Sequence, residues 1–351
     1  MKERILAVGT VVDLELRQRV RSTAWYVLLA VSAALLLIVS VLLLGVAAAV
    51  GKEGGPQVFS VIVFFVLLLG SLVTPALSGG AVNGDRDAGT LATTQVTLVT
   101  TTQLIVGKFL AAWTASLAFL AVALPFLLLA IVAGGVDPVV VLVALLVTVL
   151  ELGVVAAVGV GLSSVIARPI FSVVTTYLVV AALSIGTLIA FGLGGVALQT
   201  SQTTVERYYS TDADGNPLPG GVCDPEQRTT SQVPRYDRVW PILAVNPFVV
   251  LADAVPGQWS KDGYAADAFS GLKAVTRLAQ VAPPEPSVYD DCDPARNTSD
   301  RRTQEQVVAA TTPTWAAGLV LQLVLAVALM LAGGSALRTP AKRLAKGSRI
   351  A

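Results

Sequence analysis

No histidine occurs anywhere in this chain of 351 residues. That absence excludes Ser-His-Asp and Cys-His catalysis and most metal-assisted hydrolysis, which need an imidazole as base or ligand. Charge is scarce too. Only 13% of residues are Asp, Glu, Lys or Arg, about half the share of a soluble domain. No segment reads G-x-x-x-x-G-K-[ST], so the chain carries no phosphate-cradling loop of its own. The two cysteines have no histidine to complete a zinc site. These absences predict neither enzyme activity nor a cofactor held by this chain, and no nucleic-acid partner is expected.

What fills the chain instead is apolar sequence, 54% by composition. It is gathered into six runs, 25–50, 56–78, 107–133, 138–166, 170–198 and 313–336. Each is long enough to cross a bilayer, for which about 20 residues suffice. Without water in the hydrocarbon layer each run must satisfy its own backbone, which predicts helices. The expected fold class is therefore an all-α, polytopic protein embedded in the lipid membrane. The first run begins at Trp25 and exceeds the apolar core of a cleavable signal, so it is expected to remain as an anchor.

Lys and Arg in the short connections set the expected orientation. Lys2, Arg4, Arg17, Arg19, Arg21, Arg86, Lys108, Arg168 and the tail from Arg338 to Arg349 all fall on one side. The short connections of the other side offer only Lys52. Both termini are thus expected in the cytoplasm. Ala- and Val-rich composition with more Arg than Lys points to a GC-rich bacterium, and the plasma membrane is the expected location. The predicted organisation is a cytoplasmic N-terminus with an interfacial elbow helix (1–24), then five spans (25–198) that include a cytoplasmic loop at 79–106. An extracytoplasmic insertion (199–312), a sixth span (313–336) and a basic tail (337–351) follow. Val12, Leu16 and Val20 form the apolar stripe of the elbow, with Asp13 and Arg17 at a helix-supporting spacing. A plain basic flank that fixes topology is the other reading.

In the fourth run Gly153, Ala157 and Gly161 make a ridge of small residues suited to close helix approach. Pro75 and Pro125 are expected to kink their helices. The insertion is rich in turn residues, with one helix expected at 263–281 and a break at Pro283–Pro286. Both cysteines, Cys223 and Cys292, lie in it, on the oxidising side, which argues for one disulfide over two free thiols. Asp290, Asp291 and Asp293 read as a solvated acidic loop, with calcium binding as the rival. Glu151 lies inside a span, where a carboxylate is costly. It is read either as a substrate, proton or ion contact in a translocation path or as a hydrogen bond between helices.

The loop between the second and third runs holds Asp85-Arg86-Asp87, Gly89-Thr90-Leu91 and, eighteen residues after that glycine, Gly107-Lys108. The residues alone allow either a docking surface with Leu91 as an apolar knob or a simple re-entry turn. The pattern resembles the signature of type-2 ABC exporter permeases, with departures at Ala92, where that family favours an acidic residue, and Leu98, where proline is common. Asn246-Pro247-Phe248 is similar to the short re-entrant elements before the last span of such permeases, and an elbow before six spans is typical of them. The resemblance covers the six spans. Residues 199–235 and 282–310 look like an enlargement it does not explain.

The resemblance implies a permease subunit that exports an unidentified substrate, and an apolar path with little charge suits a hydrophobic or amphipathic one. Asp85, Arg86, Asp87, Gly89, Thr90, Leu91, Gly107 and Lys108 would dock a separate ATPase subunit, which would bring ATP and magnesium. A second permease subunit, identical or paralogous, would complete the assembly. Two other classes stand beside it: a secondary transporter coupled to ions or protons through Glu151, and a membrane-anchored receptor or scaffold with a ligand-binding outer domain.

Overall fold

The structure, a computed structural model, describes residues 2–49, 54–87, 100–298 apart from 213, 215, 217, 219 and 220, and 302–337. Within them α1 (Lys2–Val20) precedes α2 (Thr23–Ala49). Then come α3 (Gly55–Ser78), α4 (Ala81–Asp87), α5 (Thr101–Val132) and α6 (Pro138–Val165). A further long helix is built from α7 (Pro169–Ala181), a π-helical turn at Ala182–Gly186 and α8 (Thr187–Ala197). Residues 198–314 contain strands β1 (Thr200–Arg207) and β2 (Gln227–Val233), helices α9 (Pro247–Ala254) and α10 (Ala268–Leu278), β3 (Ser287–Asp290) and α11 (Gln304–Ala310). The last helix is α12 (Trp315–Ala336). Six helices are long and apolar enough to cross a membrane: α2, α3 with α4, α5, α6, α7 with α8, and α12. The chain is a multi-pass membrane protein.

Local chemistry explains where the helices begin. Thr100 and Gln103 form a reciprocal capping box at the start of α5. Asp137 accepts from Val139 N at 2.6 Å, and Pro138 supplies a preset φ in the first turn of α6. Pro75 and Pro125 lie inside α3 and α5, which continue through them. The bundle core forms where α3, α5 and α6 meet, around Phe59, Ile62, Val66, Leu67, Leu127 and Leu152. The small-residue ridge of α6 serves two neighbours. Gly153 faces the indole of Trp113, and a β-carbon on Gly161 would lie 2.7 Å from the Leu329 backbone of α12. The outer helices are less covered, with 17% of the α2 span and 11% of the α7–α8 span buried, so most of their apolar surface is left for lipid.

The all-α expectation needs one correction. Residues 198–314 contain a three-stranded sheet ordered β2-β1-β3, with β1 antiparallel to β2 and parallel to β3. Thr-rich segments such as Thr200–Arg207 fit a pleated surface, and hydrogen bonding between segments far apart in sequence stabilises what local reading takes for turns. Cys223 and Cys292 form a disulfide with a Cα–Cα distance of 6.4 Å, tying the β1–β2 connection to the end of β3. The helix expected at 263–281 is shorter, because Asp267 caps α10 by accepting from Ser270 N.

Candidate functional site

Two buried polar clusters stand out against this apolar bundle. The first gathers at the end where α4 closes and α5 begins. Lys108, only 1% exposed, is held by Glu15 of α1 at 2.5 Å and Asp85 of α4 at 2.7 Å. Gly107 makes this possible, since a β-carbon there would lie 2.7 Å from Val11 of α1. The glycine admits α1 against α5, and the lysine then binds it. In such a place the ammonium needs both carboxylates to offset its lost hydration. Arg19 of α1 donates to Leu77 O at 2.9 Å, and burial lowers its pKa, an effect opposed by Glu15.

The same end pins α4 to α6. Ser163 Oγ accepts from Val82 N and Asn83 N. Asn83 Nδ2 donates to Ile166 O at 2.6 Å, and Arg86 donates to Asn83 Oδ1 at 2.9 Å. The structure thus brings Asp85, Gly107 and Lys108 together and adds Glu15, which sequence reasoning passed over. The Asp13–Arg17 pair does form, at 2.9 Å, but both side chains are mostly exposed. Gly89, Thr90 and Leu91 lie outside the described residues, as does the side chain of Asp87.

The second cluster surrounds an element that dips into the bundle from residues 198–314. It consists of a 3-10 turn at Trp240–Val245 followed by α9. Asn246 at the joint uses every polar atom of its amide. Oδ1 accepts from Phe248 N and Val249 N, capping α9 ahead of Pro247. Nδ2 donates to Ser184 O at 2.6 Å and Thr187 Oγ1 at 2.8 Å, both at the π-helical turn of the fifth span. Widened turns of this kind shift backbone carbonyls off the regular ladder, and here one of them meets an outside donor. Gln322 of α12 donates to Val245 O at 3.0 Å. Glu151 of α6 lies beside Gln322. Glu151, Asn246, Pro247 and Phe248, read separately along the sequence, therefore belong to one neighbourhood.

The far end of α9 is fastened just as firmly. Asp253 pairs with Arg277 of α10 at 2.7 Å, both side chains being almost wholly buried. Its second oxygen accepts from Thr314 N at 2.7 Å and Trp315 N at 3.1 Å, which are backbone donors at the start of α12. Arg277 also donates to Thr311 O. Nearby, burial lowers the pKa of Lys273, whose ammonium donates to Val255 O. Burial likewise raises that of Asp267.

Close packing gives this neighbourhood its sharpest constraint. A β-carbon on Gly318 of α12 would come within 1.8 Å of Ala244 O. Gly318→Ala is expected to destabilise the protein by about 1–3 kcal/mol through overpacking. Thermal unfolding in detergent reads this directly, with Gly192→Ala as the reference, because a β-carbon there meets nothing within 4 Å. Equal midpoints for the two variants would refute the close contact.

The acidic loop is not arranged as a cation site. Asp290 accepts from Cys292 N and Asp293 N, and Arg296 pairs with both Asp290 and Glu226. Among the described residues no group of three or more His, Cys, Asp or Glu side chains is placed to hold a metal. Comparison with protein-family models and with curated proteins finds no match to the chain.

Proposed function

We propose that the chain is the transmembrane permease subunit of an ATP-binding-cassette exporter. It moves a hydrophobic or amphipathic substrate outward on ATP hydrolysed by a separate subunit. In this reading both termini and residues 87–100 face the cytoplasm of a bacterial cell, following the Lys and Arg asymmetry. α1 then lies along the inner leaflet as an elbow, and residues 198–314 stand outside. A second permease subunit, identical or paralogous, completes the pathway beneath two ATPases that carry ATP and magnesium.

The observation that carries the proposal is Lys108. One ammonium joins α1, α4 and the third span, and α4 leads directly into the loop that resembles an ATPase-docking element. A partner that contacts this loop differently in its two nucleotide states would shift α1 and the third span together. Coupling of this kind requires such a differential contact. A secondary transporter built around Glu151 draws support from that buried carboxylate, but it leaves the spacing from Asp85 to Lys108 without a role.

The test is co-purification. The isolated chain is expected to show no ATP turnover, and Leu91→Asp to lose its ATPase while still entering the membrane. Burying a leucine contributes about 1.5–3 kcal/mol, so retention of the partner should fall roughly tenfold or more. Normal assembly and transport by Leu91→Asp, or vigorous hydrolysis by the pure chain, would overturn the proposal.

A further inference from the structure

The fifth span is interrupted by a turn that helices seldom keep unaided. Thr187 N donates to Ala182 O, five residues back instead of four, so Ala182–Gly186 is wider than a regular turn by one residue. Carbonyls displaced by such a turn find no water inside a bilayer, and here side chains serve them. Thr187 Oγ1 donates to Leu183 O at 2.8 Å. Asn246 Nδ2 donates to Ser184 O at 2.6 Å and to Thr187 Oγ1 at 2.8 Å. Both of the amide's donations come from outside the span, and they come from the element that Gln322 ties to the sixth span through Val245 O.

The two halves of the span are fastened to different parts of the molecule. On the α7 side, Tyr177 donates to Leu72 O of α3 at 2.8 Å, and Gly79 at the end of α3 leaves no room for a β-carbon beside Val173. On the α8 side, Gly195 O accepts from Arg235 N, a β-carbon on Gly195 would lie 2.2 Å from Tyr236, and Phe191 lies against the Tyr236 ring at 4.9 Å. Arg235 and Tyr236 lead directly into the Trp240–Ala254 element. The wide turn sits between these two attachments, in a span of which only 11% is buried, so little packing opposes rotation of one half against the other.

We propose that this turn is a register switch, held wide by Asn246 and closing to a regular helical turn when the Trp240–Ala254 element withdraws. Once Nδ2 leaves Ser184 O, the displaced carbonyl is satisfied by its own helix in the regular register. Expelling the extra residue from the turn rotates α8 by about 100° against α7 and shifts it by about 1.5 Å. The switch requires neither an ATPase nor a transported substrate, so it stands or falls apart from the permease reading.

The full-length chain in lipid nanodiscs suffices for the test. Single nitroxide labels at Val174 and Leu178 of α7, and in turn from Leu188 to Leu193 of α8, report accessibility to oxygen dissolved in the lipid. Cys223 and Cys292 are tied to each other and do not compete for the label. Asn246→Ser is the deciding variant, since serine still caps α9 but carries no amide to reach Ser184 O. In wild type the α8 maxima are expected at Ile189 and Leu193, both exposed. In Asn246→Ser they should move by one residue, while Val174 and Leu178 keep their wild-type accessibility. Maxima that stay at Ile189 and Leu193 in the variant would overturn the proposal. A pattern lost equally from α7 and α8 would also overturn it, by making Asn246 a general support of the span.

Discussion

Asp253→Asn is expected to lower the stability of the protein by about 3–5 kcal/mol, the cost of leaving a buried ionic partner uncompensated. Two losses combine. Arg277, 4% exposed, would keep its charge with no carboxylate against it. The start of α12 would also lose a charged acceptor for Thr314 N and Trp315 N. The measurement is thermal unfolding in detergent, with Asp253→Leu/Arg277→Met as the companion variant. Removing both charges leaves only the helix start uncapped, so the double variant should be more stable than Asp253→Asn. A single variant that melts with wild type would show that the pair contributes nothing.

Lys108→Met is expected to be of similar size, about 3–5 kcal/mol, again because charges are left behind. Glu15 and Asp85 would face each other across the vacated position, and α1 would lose its ionic hold on the third span. Brief trypsin treatment of the purified protein gives the local readout, since Arg19, whose side chain is largely buried and donates to Leu77 O, should become cleavable as α1 lifts away. Glu15→Gln/Asp85→Asn/Lys108→Met removes the repulsion and should regain much of the loss. Unchanged cleavage in the single variant would place the hold on α1 elsewhere, in Val11 against Gly107 or in Arg19.

The spans were legible because the bilayer sets a length and forbids unsatisfied backbone, so composition alone marks them. The helix starts were legible through residues such as Asp137 and Pro138, whose effect is local. The clusters were not, because they join residues far apart in the chain. Lys108 meets Glu15 across 93 positions and Asp253 meets Thr314 across 61, and no local pattern encodes such pairings. Gln322 escaped notice for a different reason, since an uncharged amide within a leucine-rich run barely alters its apolarity. The sheet was missed because β2 is exposed along almost its whole length, with no alternation to betray a strand.

Thr314 provides no side-chain cap for α12. The acceptor comes from Asp253, held in place by Arg277, so the final membrane helix borrows its boundary from a region made earlier. During synthesis those two residues emerge before the helix they terminate. The start of the last span therefore depends on Asp253 and Arg277 being folded in place. A chain stalled before residue 314 would present a prepared anchor with nothing yet to hold.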